Sequence, residues 1–126
     1  MGTATTALAP GLPSSSDAGR QIESRIIGAM GGGLIGGSLG VGLDAQDRRR
    51  ALEAEYRALE YTPGGQPVTW KGKSGGRSGE VVAAQPYSVG SQNCRQYIHT
   101  VYVGLEPQSA RGTACRNSDG SWTPLT

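Results

Sequence analysis

Cys94, His99, Cys115 and Asp119 are the side chains of this sequence whose types could do chemistry. A histidine near a cysteine suits a base paired with a nucleophile, and two cysteines with a histidine could begin a zinc site. The spacing argues against both. His99 is the only histidine, and on a strand Cys94 and His99, five residues apart, point to opposite faces. A structural zinc would also be left a ligand short. There is no histidine pair on a helix, and the sequence places no acid beside His99. Asp119 falls in "NSDGSW", which reads as a turn before a strand. The expectation is no catalytic residue, no metal and no cofactor. An enzyme using His99 stands as the outlying rival.

The cysteines point instead to each other. In "CRQYIHTVYVGLEPQSARGTAC" a two-residue Gly104-Leu105 turn of II′ type would set Val103 opposite Glu106 and Cys94 directly opposite Cys115. A bond there would close a loop of about 20 residues and contribute on the order of 3 kcal/mol. It would also place the chain in an oxidising compartment. Pro107 requires that part of its strand to be an edge.

The elements that must position these residues follow from the pattern. "DAQDRRRALEAEYRALE", residues 44 to 60, reads as a helix. Asp44 caps it, Leu52, Tyr56 and Leu59 make one narrow apolar stripe, and Asp44–Arg48 and Glu53–Arg57 are i, i+4 pairs. "TPGG" stops it. Short β-type runs follow, "QPVTWKG", "GEVVAAQPY", "CRQYIHTVYVG", "PQSARGTACR" and "SWTPL", separated by Gly, Pro, Ser and Asn. "KGKSGGRSG", residues 71 to 79, reads as a basic loop without a specific phosphate site. Both Trp and all five Tyr lie at or beyond residue 56, and there is no Phe, so the large core side chains belong to the C-terminal two thirds. The predicted class is α+β: a disordered N-terminus, one glycine-zipper helix, then a small domain of one helix and an antiparallel meander of about five short strands.

The zipper is "IIGAMGGGLIGGSLGVGL", residues 26 to 43, uncharged and with eight glycines. Gly28, Gly32, Gly36 and Gly40 recur at i, i+4 and would form a bare strip on a helix, against which another helix backbone packs closely. In water the glycines would cost such a helix roughly 8 kcal/mol relative to alanine, at about 1 each. Lipid enforces helix because an unpaired backbone costs more there, and eighteen residues reach about 27 Å, close to a ~30 Å hydrocarbon core. The expectation is a membrane-inserted or self-packing segment. "GGGLIG", residues 31 to 36, matches a dinucleotide fingerprint by form only, since no βαβ unit surrounds it. Arg48, Arg49 and Arg50 follow closely and could hold anionic lipid headgroups, or form a solvated helix face.

Residues 1 to 24 read as a disordered linker, 25 to 43 as the zipper and 44 to 126 as the folded domain. Residues 1 to 20 lack the charged and apolar regions of a secretory signal. The net charge of +2, from 12 basic and 10 acidic residues, makes no case for nucleic acid.

Taken together, the zipper running into "GLDAQDRRRALEAEYRALEYTPGGQPVTW", then "SQNCRQYIHTVYVGLEPQSARGTACR", then "NSDGSWTPL", resembles the rickettsial 17-kDa surface antigen family, outer-membrane lipoproteins with a glycine-zipper segment. The resemblance covers roughly residues 26 to 126. It implies a non-enzymatic protein of the bacterial cell envelope, associated with the outer membrane through residues 26 to 43, with a periplasmic or surface-exposed C-terminal domain. It implies no cofactor and carries over the zipper glycines and the paired cysteines Cys94 and Cys115. Members usually begin with a signal peptide and a lipidated cysteine and often carry two zipper passes; here there is one pass and no N-terminal Cys. A homo-oligomer through the zipper fits the same reading. The alternative is a soluble periplasmic binding or inhibitor module, with residues 1 to 43 as a tether and Trp70, Tyr87 and Trp122 as a recognition patch.

Overall fold

A computed structural model describes residues 22–73 and 76–125. The expected linker lies outside them up to residue 21, and residues 74 and 75 of the basic loop lie outside them too.

The long helix, α2 (Ala45–Tyr61), forms where the capping pattern places it. Asp44 Oδ1 accepts from Asp47 N at 2.8 Å, and Thr62 Oγ1 donates back to Arg57 O at 2.9 Å before Pro63 turns the chain away. The buried surface of α2 is wider than the predicted stripe. Ala51, Ala54, Glu55 and Ala58 are buried along with Leu52, Tyr56 and Leu59, because α2 packs on the sheet and also meets the segment before it.

Six antiparallel strands make the sheet: β1 (Pro67–Lys71), β2 (Arg77–Ala83), β3 (Tyr87–Val89), β4 (Gln92–Val103), β5 (Glu106–Arg116) and β6 (Trp122–Pro124). Their order is β1-β2-β4-β5-β6, with β3 also paired to β4. The predicted run "GEVVAAQPY" is thus two strands on the same side of β4. Pro86 cannot donate to a ladder, while Ala84 N donates to Gln96 O at 2.8 Å and keeps the chain alongside. β4 and β5 form the long hairpin in the expected register, Val103 opposite Glu106 and Cys94 opposite Cys115. Gly104 has φ +65°, which its place in a two-residue turn requires. β6 pairs only with Ala114–Arg116, so Pro107 lies on an open edge of β5, which resolves its apparent misfit.

Residues 26 to 43 do not form one helix. They form α1 (Ser24–Gly28), a run of turns, and two 3-10 turns at Leu34–Gly36 and Ser38–Gly40. No helix among the described residues is long and apolar enough to cross a membrane. The apolar side chains do not go unpaired: Ile26, Ile27, Met30, Ile35, Leu39 and Leu43 enter the same core as α2 and the inner face of the sheet. Glycine serves tight turning instead of a flat strip. A Cβ on Gly36 would collide with the Gly31 carbonyl, and one on Gly40 with the Ile35 carbonyl. Around Gly28 and Gly32 the space is open.

Candidate functional site

Side chains alternate across the sheet, so Arg95, Tyr97, His99 and Val101 of β4 face α2 and are buried, whereas Ile98 on the other face is exposed. Opposite His99, α2 presents Glu55. Both are fully buried, and His99 Nδ1 lies 2.7 Å from Glu55 Oε2. On the other side Trp70 Nε1 donates to His99 Nε2 at 2.9 Å. An indole N–H can only donate, so Nε2 is the acceptor and Nδ1 carries the proton that is given to Glu55. The approach of Trp70 leaves no room for a side chain at Gly79, its cross-strand partner. Desolvation raises the Glu55 carboxyl above the ordinary carboxylate value, opposed by the hydrogen bond and charge of His99. Burial, reinforced by Glu55, likewise raises the Tyr97 phenol.

This cluster contains the acid beside His99 that the sequence did not show. Glu55 is 44 residues away in the sequence, on a helix rich in charged residues. The available signal was its position, four residues from both Ala51 and Leu59 on what became a buried face. Chemically the cluster is an acid–base pair with an indole donor, but no ring nitrogen is left to meet a substrate, and none of the three side chains opens to solvent. It braces helix to sheet.

Two further polar anchors escaped the sequence reading. Arg95 donates to the carbonyls of Ala84, Ala58 and Leu59 at 2.8, 3.1 and 2.7 Å. The last two belong to the end of α2, where carbonyls lack helical partners, so an arginine there satisfies both groups and dipole. Glu60 accepts from Arg116 Nε at 2.9 Å and from Trp122 Nε1 at 2.9 Å, fastening the same helix end to β5 and β6.

The arginines after the zipper are used within the fold. Arg48 donates to the carbonyls of Ile35, Gly40 and Leu43 at 3.2, 3.4 and 3.4 Å. Arg49 donates to Ser24 Oγ and to Ile22 O and pairs with Glu53 at 3.3 Å. Neither predicted helical pair is the one found: Arg48 turns to the glycine-rich carbonyls and Glu53 takes Arg49. Arg50 is exposed. The aromatic recognition patch of the alternative reading is not assembled, since Trp70 and Trp122 are core residues and Tyr87 alone of the three is exposed.

Cys94 and Cys115 form a disulfide. Because Arg95 faces α2, the bond lies on the opposite face of the sheet, locking the hairpin near the end remote from its turn. No group of three or more His, Cys, Asp or Glu side chains suited to a metal occurs among the described residues.

Fold and polar clusters together define a class: a small disulfide-closed α+β domain whose buried charges hold a helix and a glycine-rich segment on one sheet. The family model described as 17 kDa outer membrane surface antigen matches residues 57–123, just over half of the chain, and the chain belongs to that family. Against the 17 kDa surface antigen of Rickettsia bellii it is 44% identical over 85 residues, covering 67% of this chain and 54% of that protein. The Rickettsia felis antigen is 46% identical over 83 residues, 64% of this chain and 52% of that protein; the Rickettsia rickettsii antigen is 45% identical over the same length. The chain therefore spans about half the length of the curated relatives it matches. No solved structure matches it.

Proposed function

We propose that the chain is a non-enzymatic protein of the bacterial cell envelope, located at the outer membrane with its domain in the periplasm or at the surface. The observation that carries this is the Cys94–Cys115 bond in a member of a surface-antigen family. Such bonds persist in the periplasm and at cell surfaces and are rare in the cytosol. The sequestered histidine supports a display role over a catalytic one. Fractionation of the source bacterium with thiol trapping tests the reading: the chain is expected in the outer-membrane fraction with neither cysteine alkylated. A cytosolic pool carrying two alkylated cysteines would overturn it.

A second arrangement of residues 26 to 43 is part of the proposal. Among the described residues, nothing lies in contact with a side chain built at Gly28 or Gly32, so the docked segment does not explain why they are glycine. An inserted or self-associating zipper helix uses all four of Gly28, Gly32, Gly36 and Gly40 alike. Replacing Gly28 and Gly32 with leucine separates the two: unchanged membrane association assigns the segment to the docked core alone, and lost association or assembly supports the zipper.

A further inference from the structure

The sheet has two faces, and α2 and the glycine-rich segment lie on the one that carries Tyr97, His99 and Val101. The alternating residues point the other way: Glu80 and Val82 on β2, Ile98 and Thr100 on β4, Ser109 and Arg111 on β5. Apart from the bonded cysteines, every described strand residue on this second face is exposed or half-buried. An antiparallel sheet can leave one face to water, and such a face is then largely polar. Here the middle is mixed. Pro67, Val82 and Ile98 stand side by side in one row, with Ile98 39% exposed, while Thr100 Oγ1 and Ser109 Oγ bond to each other at 2.8 Å. Two hollows, of about 300 and 440 Å³, open on this face, the first beside Val82, Ile98 and Arg111, the second beside Thr69, Ser78, Glu80 and Tyr102. Such relief lets the side chains of a facing sheet interdigitate. Charge is sparse: Glu80 on β2, Arg111 on β5 and Lys71 on the outermost strand β1 are the charged strand residues of this face. Among the described residues none of the three has an ion-pair partner. Glu80 stands opposite Thr100 and Arg111 opposite Ile98, so acid and guanidinium flank β4 from its two sides, two residues apart along it.

We propose that this face is an interface between two copies of the chain, packed sheet on sheet about a two-fold axis along β4. That axis lays β4 over β4 and β2 of each copy over β5 of the other. Glu80 then meets Arg111 of the second copy, Arg111 meets its Glu80, and Ile98 packs against Ile98 at the centre. The reach is adequate: about 7 Å along the strands and about 10 Å between sheets separate the two backbones, which a glutamate and an arginine span together. A two-fold across the strands would instead lay β2 over β2 and bring like charges together, so the charges select both the second copy and the axis. Lys71 comes beside the open edge of β5 and stays in the solvated rim. The six strands present roughly 600 Å² of sheet plane. That is somewhat less than the ~800 Å² each partner gives to a standard interface, which suits a reversible dimer. The dimer goes beyond the envelope reading, and it leaves the glycine-rich segment docked on the other face.

The test is sedimentation equilibrium of the full chain at concentrations up to about 500 µM, which registers a dimer of millimolar affinity or better. A reversible monomer–dimer equilibrium is expected. Glu80→Arg alone, or Arg111→Glu alone, turns both opposite-charge contacts of the dimer into like-charge ones and should weaken it about a hundredfold. A chain carrying both changes restores the two contacts and should regain the parent affinity. So should an equal mixture of the two single variants, by forming mixed dimers. Both positions lie outside the core, so thermal midpoints of the variants should match the parent. A monomeric parent overturns the proposal, and so does a dimer indifferent to both reversals. Weakening that neither the double change nor the mixture repairs overturns it as well, because the pairing is then absent. A dimer that ignores both reversals and is lost in Gly28→Leu with Gly32→Leu assigns self-association to the zipper instead. The fractionation experiment reads the envelope assignment separately.

Discussion

Glu55 is fully buried, and among the described residues it has a single hydrogen bond, from His99, while its other oxygen has no partner. Folding therefore favours its protonated form, and its ionisation is raised. The folded chain holds that proton more tightly than the unfolded chain does. The stability that this contributes is present below the ordinary carboxylate value and is lost as pH rises through the raised one. Glutamine keeps the shape and the acceptor for His99 Nδ1 but never ionises. Urea titrations from acid to neutral pH should show Glu55→Gln gaining on the parent as pH rises; a difference that is flat or runs the other way would refute the assignment. Trp70→Phe, which leaves His99 Nε2 without its donor, should cost about 1–3 kcal/mol across the same range.

At the scale of elements, the glycine-rich segment separates two uses of one residue type. Gly36 and Gly40 sit where a methyl group strikes a carbonyl five residues back, whereas Gly28 and Gly32 face open space among the described residues. Alanine at 36 or 40 should therefore destabilise the chain by about 1–3 kcal/mol, as overpacking does. Alanine at 28 or 32 should be neutral or stabilising by up to about 1 kcal/mol, since it restricts the unfolded chain. Thermal unfolding of the four single variants checks this. Equal losses at all four positions would contradict the docked turns and favour an i, i+4 strip. The hairpin of β4 and β5 is governed by more local rules: a two-residue turn, an alternation of period two, and a disulfide that falls in place once the turn is set.

For the whole molecule, the boundary between residues 43 and 44 divides the sequence but not the core. Six apolar side chains of the segment are buried with α2 and the sheet, and Arg48 holds its carbonyls from the other side of the boundary. A fragment of residues 44 to 126 should lose more than the roughly 2–5 kcal/mol of one buried large-to-small substitution and should bind an apolar dye that the full chain ignores. Urea unfolding of fragment and full chain, side by side, is the measurement. A fragment as stable as its parent would show the segment to be an appendage.

What could be read from the sequence was what depends on near neighbours along the chain. The cap at Asp44, the span of α2, the strands, the turn at Gly104 and hence the Cys94–Cys115 pairing all follow from hydrogen-bonding rules that reach a few residues, extended by strict alternation. Tertiary structure decided everything that required knowing which surface meets which. The sequence shows Glu55 and Glu60 as equivalent charges on one helix, yet one is buried against His99 and the other pairs with Arg116 and Trp122. Residues 26 to 43 show apolar character and glycine spacing, and both a lipid helix and a turn-rich strap satisfy that pattern. The strap forms because α2 and the sheet leave apolar surface for Ile27, Met30 and Ile35 to cover, and arginines to hold the carbonyls that a glycine-rich turn leaves unpaired.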